Sequence, residues 1–123
     1  MVRIILPTEL SFTSVLARAP MLDSARAVGG RDQVTVGGVL NQTAPCFELS
    51  SQAARTAARI TVRLIAKEKP GTCATFAAGA FDYSVAAKSL PAGVYDVEVF
   101  HRVDFHDGRS VDTKIGATRV EVR

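Results

Sequence analysis

The sequence predicts an all-β fold, an antiparallel sandwich or barrel held in one domain, and three observations carry that prediction. Apolar residues recur with a period of two rather than 3.6. Turn residues punctuate these runs at Gly29-Gly30, Pro45, Pro70-Gly71, Gly79 and Pro91-Ala92-Gly93. The one helix candidate, "SSQAARTAAR" at 50–59, is short and has no apolar stripe, so a hairpin bend near Ala57-Ala58 is the better expectation.

The clearest strand is "VYDVEVFHRVDF". Tyr95, Val97, Val99, Val103 and Phe105 share one parity, and Asp96, Glu98, Arg102 and Asp104 the other. Such alternation marks a strand with one dry face. "HDGR" then supplies an Asp-Gly hairpin turn. The chain returns through Val111, Thr113, Ile115 and Ala117, and the apolar parity flips at Val120 and Val122. A bulge near Gly116 accounts for the flip.

Other segments alternate in the same way. Val34, Val36 and Leu40 form one set, and Ile60, Val62, Leu64 and Ala66 a second. Phe81, Tyr83, Val85 and Ala87 form a third. A short strand begins at Cys46, and the amino-terminal region offers "VRIIL" and a piece around Phe12 to Leu16. The expectation is about seven strands in a single domain over 1–123, with 1–31 supplying an amino-terminal strand and loop.

"SLPAGVYDVEV" sets a Tyr just after a Pro/Gly turn, at the head of a valine strand. This resembles the tyrosine corner of immunoglobulin-like folds, in which the hydroxyl bonds back to the preceding loop. "PC" with a short strand, a long hairpin and a second Cys precede that Tyr strand: Pro45-Cys46-Phe47-Glu48-Leu49, Ile60 to Lys67, and Cys73. Over residues 32 to 123 the pattern resembles the immunoglobulin-like and fibronectin-III-like β-sandwich modules of secreted bacterial proteins, of the single-disulfide type. The resemblance implies an immunoglobulin-like antiparallel β-sandwich and a secreted, periplasmic or cell-surface setting. It carries no catalytic residues.

Composition narrows the function. Apolar residues make up 47% of the chain and charged residues 22%, which places it with globular rather than disordered sequences. Apolar runs are far shorter than a bilayer span, so a membrane-spanning helix is not expected. Met1-Val2-Arg3 could open a secretion signal, but Pro7, Thr8 and Glu9 interrupt its apolar part, so no clear signal peptide stands out. The net charge of +3 permits an anionic partner. Nucleic acid is not expected, because no dense basic cluster with interleaved aromatics appears.

Candidate sites are few. Cys46 and Cys73 flank the candidate hairpin, and a disulfide between them would clip its open end; two buried thiols are the alternative. Arg55, Arg59, Arg63, Lys67 and Lys69 share odd parity, opposite to Ile60, Val62 and Leu64. They form an outward basic ladder, which either meets an anionic partner or protects an edge strand from aggregation. Phe100 and Ile65 carry the polar parity of their strands and would make a partner patch if those strands are neighbours. Asp104, His106 and Asp107 are the weak metal alternative; His101 falls on the other face and closes the end of the core. Asn41-Gln42-Thr43 matches the glycosylation pattern.

No catalytic motif and no cofactor fingerprint appears, so no enzyme and no cofactor are expected. The reading is a non-catalytic, extracytoplasmic interaction or accessory module that binds a protein or an anionic surface partner. The alternatives are a structural subunit of a larger assembly, such as a surface layer or virion, and a weak metal-binding protein.

Overall fold

The alternation places side chains as expected in the computed structural model, which describes residues 2–16, 22–42, 46–71 and 79–123. Ile60, Val62 and Leu64 are fully buried, as are Val34, Val36, Leu40, Val85 and Val97. Thr61 and Arg63 lie outward between the β6 residues, and Thr35 between Val34 and Val36. Among the described residues the chain forms strands and no α-helix, so no helix there is long and apolar enough to cross a membrane.

Nine strands are described: β1 (Ile4–Leu6), β2 (Thr8–Leu16), β3 (Ser24–Gly29), β4 (Val34–Leu40), β5 (Phe47–Thr56), β6 (Arg59–Glu68), β7 (Gly79–Ala87), β8 (Gly93–Asp104) and β9 (Ser110–Val122). They lie in two sheets, a five-stranded one ordered β1-β5-β6-β8-β9 and a four-stranded one ordered β2-β7-β4-β3. Both contribute to a single apolar cluster: Val36, Phe81 and Val85 from the smaller sheet meet Val62, Leu64, Val97 and Val122 from the larger. Each sheet therefore has a dry inner face and a wet outer one.

Two expectations need correcting. The pairing is not antiparallel throughout, because β6 and β8 run parallel, with Arg63 opposite Phe100 and Lys67 opposite Asp104. Between them in sequence the chain visits the other sheet as β7, so it re-enters the larger sheet running the same way. A period of two reports which face is dry and says nothing of strand direction, so the sequence pattern could not reveal this. There are also more strands than the expected seven. Ser24–Gly29 forms β3 although its only apolar residues are Ala25, Ala27 and Val28, and Val28 faces solvent.

Other local expectations hold. The hairpin between β5 and β6 turns at Ala57-Ala58, with Ala57 in the left-handed region (φ 54°). The β8–β9 turn is closed by Gly108 N–H donating to Phe105 O at 3.0 Å, with Gly108 at φ 94°. The register of β8 and β9 shifts as expected: Val99 faces Gly116 and Phe100 faces Lys114, leaving Ile115 as the extra residue. The expected bond from Tyr95 back to the preceding loop is present, Tyr95 Oη donating to Pro91 O at 2.7 Å.

The two lateral seams between the sheets differ. On the β3/β9 side the layers touch closely. A Cβ on Gly29 would fall 1.8 Å from Glu121 O, so only glycine permits that approach. Asp32 N–H donates to Arg123 O at 3.1 Å, and Arg123 N–H to Gly30 O at 3.0 Å. On the opposite side β1 and β2 are consecutive strands separated by Pro7, one on the edge of each sheet.

Candidate binding face

Strand registers fix what the outer face of the larger sheet displays. One row across it reads Thr56, Arg59, Asp96, Arg119, and the next Ile5, Ala54, Thr61, Glu98, Ala117. A third reads Gln52, Arg63, Phe100, Lys114. Cations thus recur on β6 and β9, with two acids between them on β8. Arg3, just before β1, joins the first two rows. It lines a depression of about 350 Å³ together with Ala54, Thr56, Arg59, Thr61, Arg63, Glu98 and Phe100. A second depression of about 450 Å³ shares Arg59 and Glu98 and reaches Lys114 and Arg119.

Ion pairs lace this face. Arg59 pairs with Glu98 at 3.1 Å, and Lys114 reaches the other oxygen of Glu98 at 3.5 Å. Arg119 Nε bonds Asp96 at 3.2 Å. Arg63 makes a two-point contact with Asp112, 3.0 Å on each arm, and its guanidinium lies 4.7 Å from the centroid of the Phe100 ring. Arg3 forms no ion pair with any described residue. The floor, Ala54 and Thr61, is small, so a ligand group could reach the guanidinium groups around it.

The expected basic ladder is therefore only partly assembled. Arg59, Arg63 and Lys67 do project outward from β6. Arg55 does not join them. The turn at Ala57-Ala58 reverses the chain and sets Arg55 opposite buried Ile60, which gives it the inward parity of β5. Its Nε is buried with no hydrogen-bond partner among the described residues. Lys69 lies beyond the end of β6, where its N–H donates to Cys46 O at 2.9 Å. Phe100 and Ile65 do lie on adjacent strands, diagonal to one another, but Arg63 covers Phe100. Arg3, Lys114 and Arg119 complete the face and were missed in the sequence. Strand order brings them there, and nothing in their local pattern signals it.

The metal alternative finds its three residues already engaged. Asp104 binds Arg102 Nε at 2.8 Å and Ser110 Oγ at 2.7 Å. Those contacts hold its carboxyl below the usual range. Asp107 accepts from Arg109 Nε at 2.8 Å, and His106 Nδ1 pairs with Glu68. Among the described residues no group of three metal-ligating side chains converges. Cys46 is buried and is not a free thiol, while Cys73 lies outside the described residues.

One polar cluster lies inside the core. His101, almost fully buried, has Nε2 at 2.7 Å from Tyr83 Oη and Nδ1 at 2.8 Å from Asp23 Oδ2. Asn41 N–H donates to the other Asp23 oxygen at 2.8 Å. An ionised carboxylate only accepts, so Nδ1 carries a proton and, in the neutral ring, Nε2 accepts from the Tyr83 hydroxyl. Burial pushes Tyr83 well above the ordinary tyrosine range, and the Asp23 carboxylate pushes it the same way. Burial works to raise Asp23, but the hydrogen bonds from His101 and Asn41 outweigh it and hold it below its usual value.

No family model, curated protein or solved structure matches the chain.

Proposed function

We propose that the chain is a non-catalytic, extracytoplasmic interaction module of immunoglobulin-like type that docks an anionic partner on the outer face of its larger sheet. The observation that carries this reading is the depression lined by Arg3, Arg59 and Arg63 over Ala54 and Thr61, with Glu98 the one acid among its described residues. The planar guanidinium fork can grip two oxygens of a carboxylate or a sulfate at once, and Arg3 brings a charge that no described acid neutralises. The Tyr95–Pro91 hydrogen bond and the two layers over one core support the immunoglobulin-like assignment. The parallel β6–β8 pair is a departure from the all-antiparallel pattern. The extracytoplasmic setting is what the resemblance implies, and a disulfide between Cys46 and Cys73 would support it.

The test is retention on immobilised dextran sulfate against neutral dextran of equal length, across a salt series. The expected result is salt-sensitive retention on the sulfated matrix alone. It should fall in Arg3→Gln and in Arg59→Gln/Arg63→Gln, and persist in Lys67→Gln. Equal behaviour on both matrices, together with no binding to a polyglutamate peptide, would remove this reading.

A further inference from the structure

We infer that β2 is a docking edge for a second copy of this chain, pairing antiparallel with the same strand so that two four-stranded sheets become one. This inference concerns the smaller sheet and stands apart from the anionic face.

The four sheet edges are not equally protected. Edge strands expose unpaired backbone groups, and proteins blunt them with brevity, charge, bulges or cover. β1 spans only three residues. β3 is covered by the close approach of β9 at Gly29–Glu121 and by the backbone bonds between Gly30, Asp32 and Arg123. β9 carries Asp112, Lys114, Arg119 and Glu121, and the bulge at Ile115. Among the described residues β2 is the least protected of the four. It runs nine residues as TELSFTSVL, with neither Pro nor Lys, and its single charge is Glu9. One side is fully paired to β7, from Thr8–Ala87 to Leu16–Gly79, and the other pairs with no described strand.

The seam beside β2 is also open. Phe12 is 44% exposed, although its ring meets Phe81 edge-on at 5.3 Å, and Ile4 on β1 is 42% exposed. Both have the parity of the inner faces, so they are core residues left uncovered at this side of the molecule. At the β3/β9 seam a depression of about 270 Å³ opens beside Ala25, Ala27 and Gly116, but the core valines next to it, Val97 and Val99, stay buried.

A second copy fits this edge better than a charged peptide does. Phe12 is the midpoint of Thr8–Leu16. Pairing about a two-fold axis there sets Phe12 against Phe12 of the second copy, and Ser11 against Thr13. Aromatic residues directly opposite on adjacent strands attract one another. Glu9 falls opposite Val15, well away from Glu9 of the second copy, and each Glu9 keeps its own Lys88. No charge is left for an acidic or basic segment to meet. A two-fold pairing of this kind closes at two copies and cannot grow into a filament.

The register makes the test specific. Sedimentation velocity from about 5 to about 500 µM should show a dimer fraction that rises with concentration. Ser11→Lys with Thr13→Lys puts like charges opposite each other at both pairs, and should weaken dimerisation by more than about tenfold. Ser11→Lys with Thr13→Glu sets opposite charges at the same pairs and should restore it. Both positions are exposed, so circular dichroism and thermal unfolding should be unchanged in each variant. A wild-type chain that stays at its 13.1 kDa monomer mass throughout would overturn the inference. So would a dimer indifferent to both variants, which would place the interface elsewhere, or open-ended growth.

Discussion

The Tyr83 hydroxyl lies 2.7 Å from His101 Nε2, and this contact joins the inner faces of the two sheets through their only buried charged or polar residue among those described. A buried polar group left unpaired costs more than the net worth of the bond it lost. Tyr83→Phe removes the hydroxyl and leaves Nε2 without a donor. It should destabilise the protein by about 1–3 kcal/mol in urea unfolding. Asp23→Ala should act on the same network from the other side. Its effect combined with Tyr83→Phe should depart from additivity by at least about 0.5 kcal/mol. Strict additivity would mean that the three residues do not act as a unit.

Alkaline stability should report the same cluster. Tyr83 is raised in the folded state by burial, then by the Asp23 carboxylate. A group whose folded value is raised holds its proton more tightly when folded. Its contribution is complete below the unfolded tyrosine value of about 10 and is lost as pH climbs beyond that. Urea unfolding should therefore show stability falling above about pH 10, and Tyr83→Phe should remove that part of the fall. Asp23 has the opposite sign. Its folded value is depressed, so its contribution is present above the ordinary aspartate value of about 3.9 and is lost as the solution is acidified further.

Gly38 tests how closely the core is fitted around this network. A Cβ there would lie 2.1 Å from Ser24 O and 2.6 Å from Tyr83 Oη. The first of these is backbone and cannot swing away. Gly38→Ala should destabilise by about 1–3 kcal/mol. Gly37→Ala, one position along, meets only Tyr83 O at 3.8 Å and should fold almost normally. If the two variants unfold alike, strand propensity rather than crowding decides the outcome.

Much of this fold can be read in the sequence, because a strand with one dry face must alternate. Val97, Val99, Ile60 and Val62 are buried where parity puts them, and the flip after Gly116 marks the real irregularity at Ile115. The Tyr95–Pro91 hydrogen bond is legible because its two ends are close in sequence. Long-range features are not legible. Asp23 lies 78 residues from His101, and no local pattern ties them. Arg3 reaches the face of Arg59 only because β1 pairs with β5. Arg55 was misplaced for a different reason: counting parity through Ala57-Ala58 assumes a straight strand, and the chain turns there.

The cysteines give a direct check. A Cys46–Cys73 bridge would make the intact mass lower by two hydrogens than that of the reduced chain. Closing a loop of that separation should stabilise by about 3.5 kcal/mol on the chain-entropy estimate. Reductant should lower the urea midpoint accordingly. An unchanged mass on reduction would remove both the bridge and the support it lends to an extracytoplasmic setting.

The Arg63–Asp112 pair separates binding from stability on the proposed docking face. Asp112 competes with any incoming anion for the Arg63 guanidinium, which it grips at 3.0 Å on each arm. Both side chains are partly open to solvent, 21% and 40% exposed, and such pairs contribute only about 0.2–1 kcal/mol. Asp112→Asn should therefore barely move the unfolding midpoint. It should nevertheless tighten retention on dextran sulfate, by at most about fivefold, since the attraction spent on Asp112 becomes available to the ligand. Arg63→Gln in the same background should abolish the gain. If Asp112→Asn weakens binding instead, the carboxylate is holding Arg63 in its working position over Phe100, and orientation outweighs competition at this residue.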